Sequence, residues 1–342
     1  MRLFNYDERR FTGILLAGMG VLALVAYSSL SYGILELSFF DVCQILLGTY
    51  PSGEYEVLIY QFRLPRIVIA ALVGAGLGVS GAVLQGISRN GLADPGILGV
   101  NAGAGFAMVI FMFFYRDALN GANWLAILAM PFFGLIGGLA ASLFVYLFSW
   151  KEGRLDSQRF LLNGIALGSG LGALSFYLTL KMNPADFHAA TAWSMGSLLH
   201  ANWKYIVTMV PWFLVLVPII LWKTSILDLF QLEESTVRSL GVQVEKEQGL
   251  LLLCSTGLVS VCVAVAGNIG FVGLIVPHLA RSLIGMRHDR IIPFCGLLGM
   301  MLVILADFVA KNLFAPVEIA AGVVIALIGV PYFIYLLFKS KA

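Results

Sequence analysis

Residues 64–86 read LPRIVIAALVGAGLGVSGAVLQG, and this stretch decides the fold. After Arg66, no charged residue occurs before position 87, and a helix needs ~20 apolar residues to cross a bilayer. Gly74 and Gly78 are four positions apart, so they lie on one face of a helix, where small residues let a neighbouring backbone approach closely. The stretch therefore predicts a membrane-spanning helix that packs tightly against another helix.

The composition of the whole chain agrees with a membrane protein. Of the 342 residues, 60% are hydrophobic and only 12% are charged, whereas a soluble domain has about 25% charged residues. The net charge is +2 and no basic run occurs, so nucleic acid is not an expected partner. The four cysteines are widely spaced, which predicts no metal or redox site: Cys43, Cys254, Cys262 and Cys295.

Apolar segments of similar length recur along the chain. Ten membrane spans are predicted near 11–32, 64–86, 95–114, 124–148, 160–181, 203–222, 249–268, 271–286, 291–310 and 319–338. With the N-terminus in the cytoplasm, 15 of the 21 Lys and Arg residues fall inside and 6 outside, as the positive-inside rule requires. We therefore expect one transmembrane domain over residues 1–342, with both termini cytoplasmic.

The chain lacks motifs that would supply energy for transport. No GxxxxGK[ST] phosphate-binding loop is present, so ATP is not expected to bind this chain. An ion-coupled carrier normally needs ionisable groups inside the bilayer. Asp307 lies near the outer end of its predicted span and Glu318 at the start of the last, and both are expected to reach the interface. The residues thus favour a passive pathway driven by another subunit. A stand-alone secondary transporter and a non-transporting membrane receptor stay open as alternatives.

Four sequence blocks, in order along the chain, resemble one known family. They are RLPRIVIAALVGAGLGVSGAVLQGISRNGLADPGILGVNAGAG at 63–105, AWSMGSL at 192–198, GNIGFVGLIVPHLARSLIGMRHDR at 267–290, and AD, EIAAGVV and IGVPYFIYLL within 306–337. These blocks are similar to the FecCD-type permeases of ABC importers for ferric siderophores, haem and cobalamin. Three positions depart from the family pattern. Gly91 replaces a usual Pro, EIAAG at 318–322 replaces ELPVG, and Lys311 replaces Arg.

The resemblance implies an all-α integral membrane protein with ten helices and the type II ABC importer permease fold. It implies transport of a ferric siderophore across the bacterial cytoplasmic membrane, with haem or cobalamin as alternative cargo. The implied partners are a second permease subunit (identical or paralogous), two ATP-binding subunits and an extracytoplasmic substrate-binding protein. ATP and Mg would be bound by the ATPase subunits, so this chain would have no catalytic site, cofactor or metal of its own.

The resemblance also assigns docking roles at both ends of the permease. Arg63, Arg66 and Lys311 are expected to contact acidic residues of the binding protein on the outer side. The inner loop 223–248 resembles a coupling segment of two short helices, at about 224–246, that docks on the ATPase. Within it, an apolar face can be shared by Leu232, Val237 and Leu240. The solvent-exposed side is then formed by Glu233, Glu234 and Arg238, and Gly241 suits a turn that ends the first helix.

Two further sets of residues follow from the same resemblance. The cytoplasmic gate is expected at the loops just after the second predicted helix and just before the fifth, at Asn90, Leu92, Ser157 and Gln158. The translocation path is expected along the fifth predicted helix, whose small residues would form a weakly adhesive wall. Its candidate polar contacts and small wall residues are Gln85, Asn101, Asn163, Gly164 and Gly168. Each of the three amides could instead be a hydrogen bond that packs helices.

Overall fold

Helices form nearly all the regular structure of the protein. The computed structural model describes residues 2–33, 37–49, 53–96, 98–115, 124–151, 154–313 and 317–339. The first half contains α1 (Arg2–Ser31), α2 (Phe39–Leu46), α3 (Gly53–Val57), a π-helical stretch (Leu58–Arg63), α4 (Leu64–Ser88), α5 (Val100–Phe114), α6 (Trp124–Phe148) and α7 (Ser157–Leu180). The second half contains α8 (Pro184–Ser194), α9 (Trp203–Trp222), α10 (Thr224–Leu229), α11 (Glu234–Ser239), α12 (Val244–Ala266), α13 (Val272–Ile284), α14 (His288–Asn312) and α15 (Ala321–Lys339).

Six helices of the described chain are long and apolar enough to cross a membrane. They include residues Arg10–Ser31, Tyr55–Ser88, Gln158–Leu180, Trp203–Trp222, Val244–Ala266 and His288–Asn312. Shorter apolar helices lie at Val100–Phe114, Phe132–Phe148, Val272–Ile284 and Ala321–Leu336. Every predicted span overlaps one of these helices, but the length criterion alone supports six of them.

Some elements lie outside the ten predicted spans. A minimal hairpin pairs β1 (Trp150–Lys151) with β2 (Arg154–Leu155) in antiparallel register, directly before α7. Two short helices, α2 and α8, lie in stretches that hydropathy assigned to loops. Both carry recognisable start signals. Ser38 and Asp41 form a reciprocal capping box on α2, and Asn183 caps α8 ahead of Pro184.

Helix α4 lies at the centre of the packing, and its glycines let neighbouring helix backbones approach it closely. A Cβ on Gly74 would lie 2.1 Å from the carbonyl oxygen of Gly299 in α14, and one on Gly81 would lie 2.1 Å from that of Gly273 in α13. On the side facing α12, the hydroxyls of Ser80 and Ser255 each donate to the other residue's carbonyl at 3.1 Å. The predicted glycine packing face of α4 is therefore confirmed.

Helix α7 contrasts with α4 because most of its surface is exposed. Its large exposed apolar side chains are Leu162, Ile165, Leu174, Phe176, Tyr177 and Leu180. Only 6% of its most apolar window is buried, against 83% for the span that contains α4. This helix therefore lies at the periphery of the single chain, where lipid or another subunit can cover it.

Candidate functional site

Arg66 is the centre of an ion-pair cluster at the N-terminal end of α4. Its Nε lies 2.8 Å from Oδ2 of Asp307 in α14, and its Nη2 lies 2.9 Å from Oδ1 of the same carboxylate. Its Nη1 donates to Oε2 of Glu318 at 2.9 Å. The side chain of Asp307 is only 3% exposed, so it is buried within the protein, and its expected position near the membrane interface stays a prediction. The Arg66 guanidinium compensates the carboxylate charge and allows this burial.

The other two predicted docking cations lie beside this cluster and bind the end of α1. Lys311 Nζ donates to the Ser29 carbonyl at 2.7 Å, and Arg63 Nη1 donates to the carbonyls of Leu30 and Ser31. The last carbonyls of a helix lack helical partners, so these cations satisfy them. Arg63, Arg66, Lys311 and Glu318 line one cavity of about 360 Å³. The three cations are thus together, but each has partners within the chain, and their docking role stays a prediction.

The predicted coupling segment contains two short helices, α10 and α11, at the opposite end of the helices. Val237 is fully buried, whereas Leu232 is 45% and Leu240 59% exposed. The expectation that these three residues share one apolar face is therefore wrong. Helix α11 covers only Glu234–Ser239, so Leu232 and Leu240 lie just outside it. Gly241 follows α11, the second short helix, so the expectation that it ends the first is wrong. Its φ is +82°, a left-handed turn that glycine adopts without strain.

Charged residues tie α11 to the start of α12. Arg238 Nη2 lies 2.7 Å from Glu234 Oε1 and also binds Glu245 Oε1. The hydrogen bonds to Glu234 and Glu245 raise the pKa of Arg238 above its ordinary value. Glu233 precedes α11 and is exposed. Of the two predicted acidic contacts, Glu233 is therefore available to a partner, and Glu234 already binds Arg238.

A second link, absent from the sequence analysis, joins the coupling segment to α14. Asp228 Oδ1 accepts a hydrogen bond from the backbone N–H of His288 at 2.9 Å and lies 2.7 Å from His288 Nδ1. Gln231 Nε2 donates to the Met286 carbonyl at 3.1 Å. His288 opens α14 and is 5% exposed. Because Asp228 and His288 are 60 positions apart, no local pattern could have revealed the link.

The predicted gate residues take part in turn and cap geometry. Asn90 Oδ1 accepts the N–H of Leu92 at 2.9 Å in the loop after α4. Asp156 caps α7 by accepting the N–H of Gln158 at 3.0 Å. Ser157 and Gln158 thus belong to the first turn of α7 rather than preceding that helix. The side chain of Ser157 lies outside the described part of the chain. The gating role of all four residues stays a prediction.

The three amides predicted for the translocation path each hold two segments together. Gln85 Nε2 donates to the Gly273 carbonyl at 3.1 Å, and Asn163 Nδ2 donates to Ser149 Oγ at 3.1 Å. Asn101 Nδ2 donates to Asn268 Oδ1 at 2.9 Å. The structure therefore gives all three amides a packing contact, which was the alternative reading of each.

Gly164 and Gly168 also pack against a neighbour. A Cβ on Gly99, the residue just before α5, would lie 3.0 Å from the Gly164 carbonyl oxygen and 3.5 Å from the Gly168 nitrogen. Beyond this contact, a cavity of about 320 Å³ lies between α5, α7 and α8 and is lined by Asn101 and Gly172, among others. The buried Oδ1 of Asn101 has no hydrogen-bond partner within the described residues. A mostly apolar cavity therefore adjoins α7, and the role of this helix in translocation stays a prediction.

Potential metal ligands do not cluster in the described ranges. No group of three His, Cys, Asp or Glu side chains in those ranges could hold a metal ion. The four cysteines are free: Cys43, Cys254, Cys262 and Cys295.

Comparisons with known proteins place these features in a family. The model of the FecCD transport family matches residues 21–339. The chain is 48% identical to the iron-uptake system permease protein FeuC of Bacillus subtilis, over 94% of this chain and 96% of that protein. It is 41% identical to the iron(3+)-hydroxamate import system permease protein FhuG of the same organism, over 94% of this chain and 95% of FhuG.

A solved structure agrees over the same length. It shows an inward-facing conformation of a metal-chelate type ABC transporter and superposes with a TM-score of 0.82 at 33% identity, covering 96% of this chain and 99% of that chain. Family match, relatives and solved structure all extend over nearly the whole sequence. The chain belongs to the FecCD transport family.

Proposed function

We propose that this protein is the membrane-spanning permease subunit of an ABC importer that moves a ferric siderophore across the bacterial cytoplasmic membrane. The observation that carries the proposal is near-full-length similarity to permeases named for iron uptake and for iron(3+)-hydroxamate import. The cargo enters through ten spanning helices, of which six meet the length criterion and four are shorter. Two such subunits form the pathway, and both termini of each lie in the cytoplasm.

Energy for transport comes from two separate ATPase subunits, which bind ATP and Mg. The exposed Leu232, Glu233 and Leu240 of the coupling segment support this division of labour, since an exposed surface of mixed apolar and acidic residues suits a protein partner. A substrate-binding protein delivers the cargo at the opposite end, where Arg63 and Lys311 line the outer cavity. The cytoplasmic gate lies at the loops around Asn90 and Gln158, and this chain needs no cofactor.

The alternative of a stand-alone ion-coupled carrier has less support. Such a carrier needs a carboxylate that binds and releases an ion within the membrane. Asp307 is a deeply buried acid in a described spanning helix, and Arg66 already neutralises it through a two-pronged contact. A salt bridge of this kind holds helices together and leaves no free charge for coupling.

Transport in proteoliposomes tests the proposal. The chain is reconstituted with its ATPase, binding protein and any paralogous permease, and uptake of a ferric hydroxamate, haem and cobalamin is compared. We expect ATP-dependent uptake of the ferric siderophore, and reversing the charge of Glu233 with Glu233→Arg should lower uptake and cargo-stimulated ATPase activity together. Uptake without the ATPase would support the carrier instead. Uptake of only haem or cobalamin would reassign the cargo.

A further inference from the structure

Two residues that line the cavity of about 320 Å³ between α5, α7 and α8 carry buried polar atoms without hydrogen-bond partners. One atom is Oδ1 of Asn101, a residue that is only 3% exposed. The other is the indole Nε1 of Trp193, near the C-terminal end of α8. Neither atom has a partner within the described part of the chain. One acceptor and one donor are therefore left unsatisfied on residues that share a cavity.

Native proteins rarely leave a buried donor or acceptor without a partner, because the lost hydration is not replaced. The other half of the Asn101 amide is engaged, since Nδ2 donates to Asn268 Oδ1 at 2.9 Å. Trp203 shows how an indole in this protein is usually satisfied: its Nε1 donates to the Tyr60 carbonyl at 2.6 Å. A bound group that both donates and accepts would complete Asn101 and Trp193 in the same way.

Three hydroxyls that line the cavity add acceptors only. Ser175, Thr179 and Ser194 each donate to a carbonyl of their own helix at 2.8 Å, which leaves their oxygens free to accept. None of the described residues that line the cavity is ionisable. A carboxylate placed there would lack a counter-charge, and burying an unpaired charge is costly. The lining therefore suits a neutral group with an N–H and a carbonyl.

The cavity is accessible from the exposed surface of α7. Gly172 of that helix lines the cavity and is exposed, and no atom of a neighbouring segment lies within 4 Å of a Cβ built on it. The rings of Phe176 and Phe187 supply apolar walls. A volume of about 320 Å³ is at the small end of the ~300–1,000 Å³ typical of ligand pockets, so the cavity suits one arm of a large chelate.

We propose that this cavity binds an amide-bearing arm of the ferric chelate on its way through the permease. An amide N–H of the arm donates to Asn101 Oδ1, and an amide carbonyl accepts from Trp193 Nε1. The identity of the cargo rests on the proposed function, whereas the group that is recognised follows from the cavity. Two hydrogen bonds in a mostly apolar space orient the arm without holding it tightly. The site favours amide-bearing siderophores over ferric citrate and haem, which present carboxylates.

Nuclear magnetic resonance of the permease–ATPase complex in nanodiscs, with isotope-labelled tryptophan, observes the Trp193 indole N–H directly. Trp193→Phe identifies its signal. The probes are N-methylacetamide, acetate as a charged molecule of similar size, and the diamagnetic gallium complex of desferrioxamine E, a neutral trihydroxamate with secondary amides. We expect saturable movement of the Trp193 signal with the amide and the gallium chelate, and none with acetate. The Trp203 signal is the internal reference, because its N–H is already bound.

Two variants test the cavity itself. Asn101→Leu removes the acceptor and should weaken binding of the gallium chelate about three- to tenfold, the loss of one hydrogen bond. Because Asn101 also packs against Asn268, Gly172→Leu is a second variant that fills the cavity from the opposite wall and should abolish the response. Gly170→Leu is the matched control: it places the same side chain on an exposed glycine of α7 outside the cavity lining and should respond as wild type does.

Several results would overturn the proposal: equal movement with acetate and amide, no movement with either, or an unchanged response in Asn101→Leu or Gly172→Leu. Movement with N-methylacetamide but not with the gallium chelate would show that the cavity is closed to cargo, which also overturns it. The measurement uses no ATP, binding protein or uptake. A failure of cargo uptake by the wild type is therefore recorded separately and bears on the proposed function alone.

Discussion

Arg66 and Asp307 form a two-pronged salt bridge between α4 and α14, with Nε 2.8 Å from Oδ2 and Nη2 2.9 Å from Oδ1. Bidentate arginine–carboxylate pairs fix both distance and orientation. Glu318, just ahead of α15, accepts the remaining Nη1 bond. One guanidinium therefore holds three segments together beside Arg63 and Lys311, whose docking role is a prediction.

Asp307→Asn should destabilise the protein by about 3 kcal/mol, because it leaves the partly buried Arg66 without its main counter-charge. Thermal unfolding of the purified protein in detergent measures the effect as a lowered midpoint. Glu318→Gln should cost less, about 1 kcal/mol or below, since the Glu318 side chain is 29% exposed. Equal losses in the two variants would contradict the dominant role of Asp307.

The Arg66–Asp307 pair also marks a limit of sequence reasoning. Its members are 241 positions apart, so local pattern gave no sign of the pair. The position of Asp307 in its span predicted the interface, and the family resemblance assigned Arg66 to docking. The link between Asp228 and His288 escaped for the same reason. Long-range pairs depend on which helices become neighbours, and hydropathy does not encode that choice. The apolar face predicted for Leu232, Val237 and Leu240 also failed, because α11 spans only Glu234–Ser239 and includes just one of the three residues.

Features that depend on local chemistry were predictable. Long apolar runs located the helices, because lipid requires the backbone to satisfy its own hydrogen bonds. Glycines four apart located the packing face of α4, where Gly74 approaches Gly299. The short helices α2 and α8 do not stand out in hydropathy because they are too short to span a membrane, although both carry capping residues. Family resemblance supplied the functional roles, which the residues alone did not.

Close backbone contact at Gly81 gives a second prediction. A Cβ there would lie 2.1 Å from the Gly273 carbonyl, so Gly81→Ala should force α4 and α13 apart at a cost of about 1–3 kcal/mol. Gly105→Ala is the matched control, because no atom lies within 4 Å of its added Cβ. It should be neutral or slightly stabilising, as alanine favours the helix. Thermal midpoints of both variants test this, and an undisturbed Gly81→Ala protein would contradict the packing described.

Asp228→Ala should loosen the coupling segment. The carboxylate accepts the N–H of His288 in the first turn of α14, a capping contact worth about 1 kcal/mol. Hydrogen–deuterium exchange should rise in α10 and in the first turn of α14, while α4 stays protected. Asp289→Ala is the control, because its exposed pair with Arg287 holds no other segment. Unchanged exchange in α10 would show that Asp228 does not anchor the segment.

Leu240 and Val237 give opposite expectations within three residues of each other. Leu240 is 59% exposed, so Leu240→Glu should leave the permease folded but lower cargo-stimulated ATPase activity, about tenfold if an apolar contact with the ATPase is lost. Val237 is fully buried, so Val237→Glu should destabilise the segment itself and raise its hydrogen exchange. Both variants are measured for thermal midpoint, exchange and ATPase activity in the reconstituted complex. If Leu240→Glu keeps full stimulation, the ATPase does not bind this exposed surface, and the coupling role must lie elsewhere along the segment.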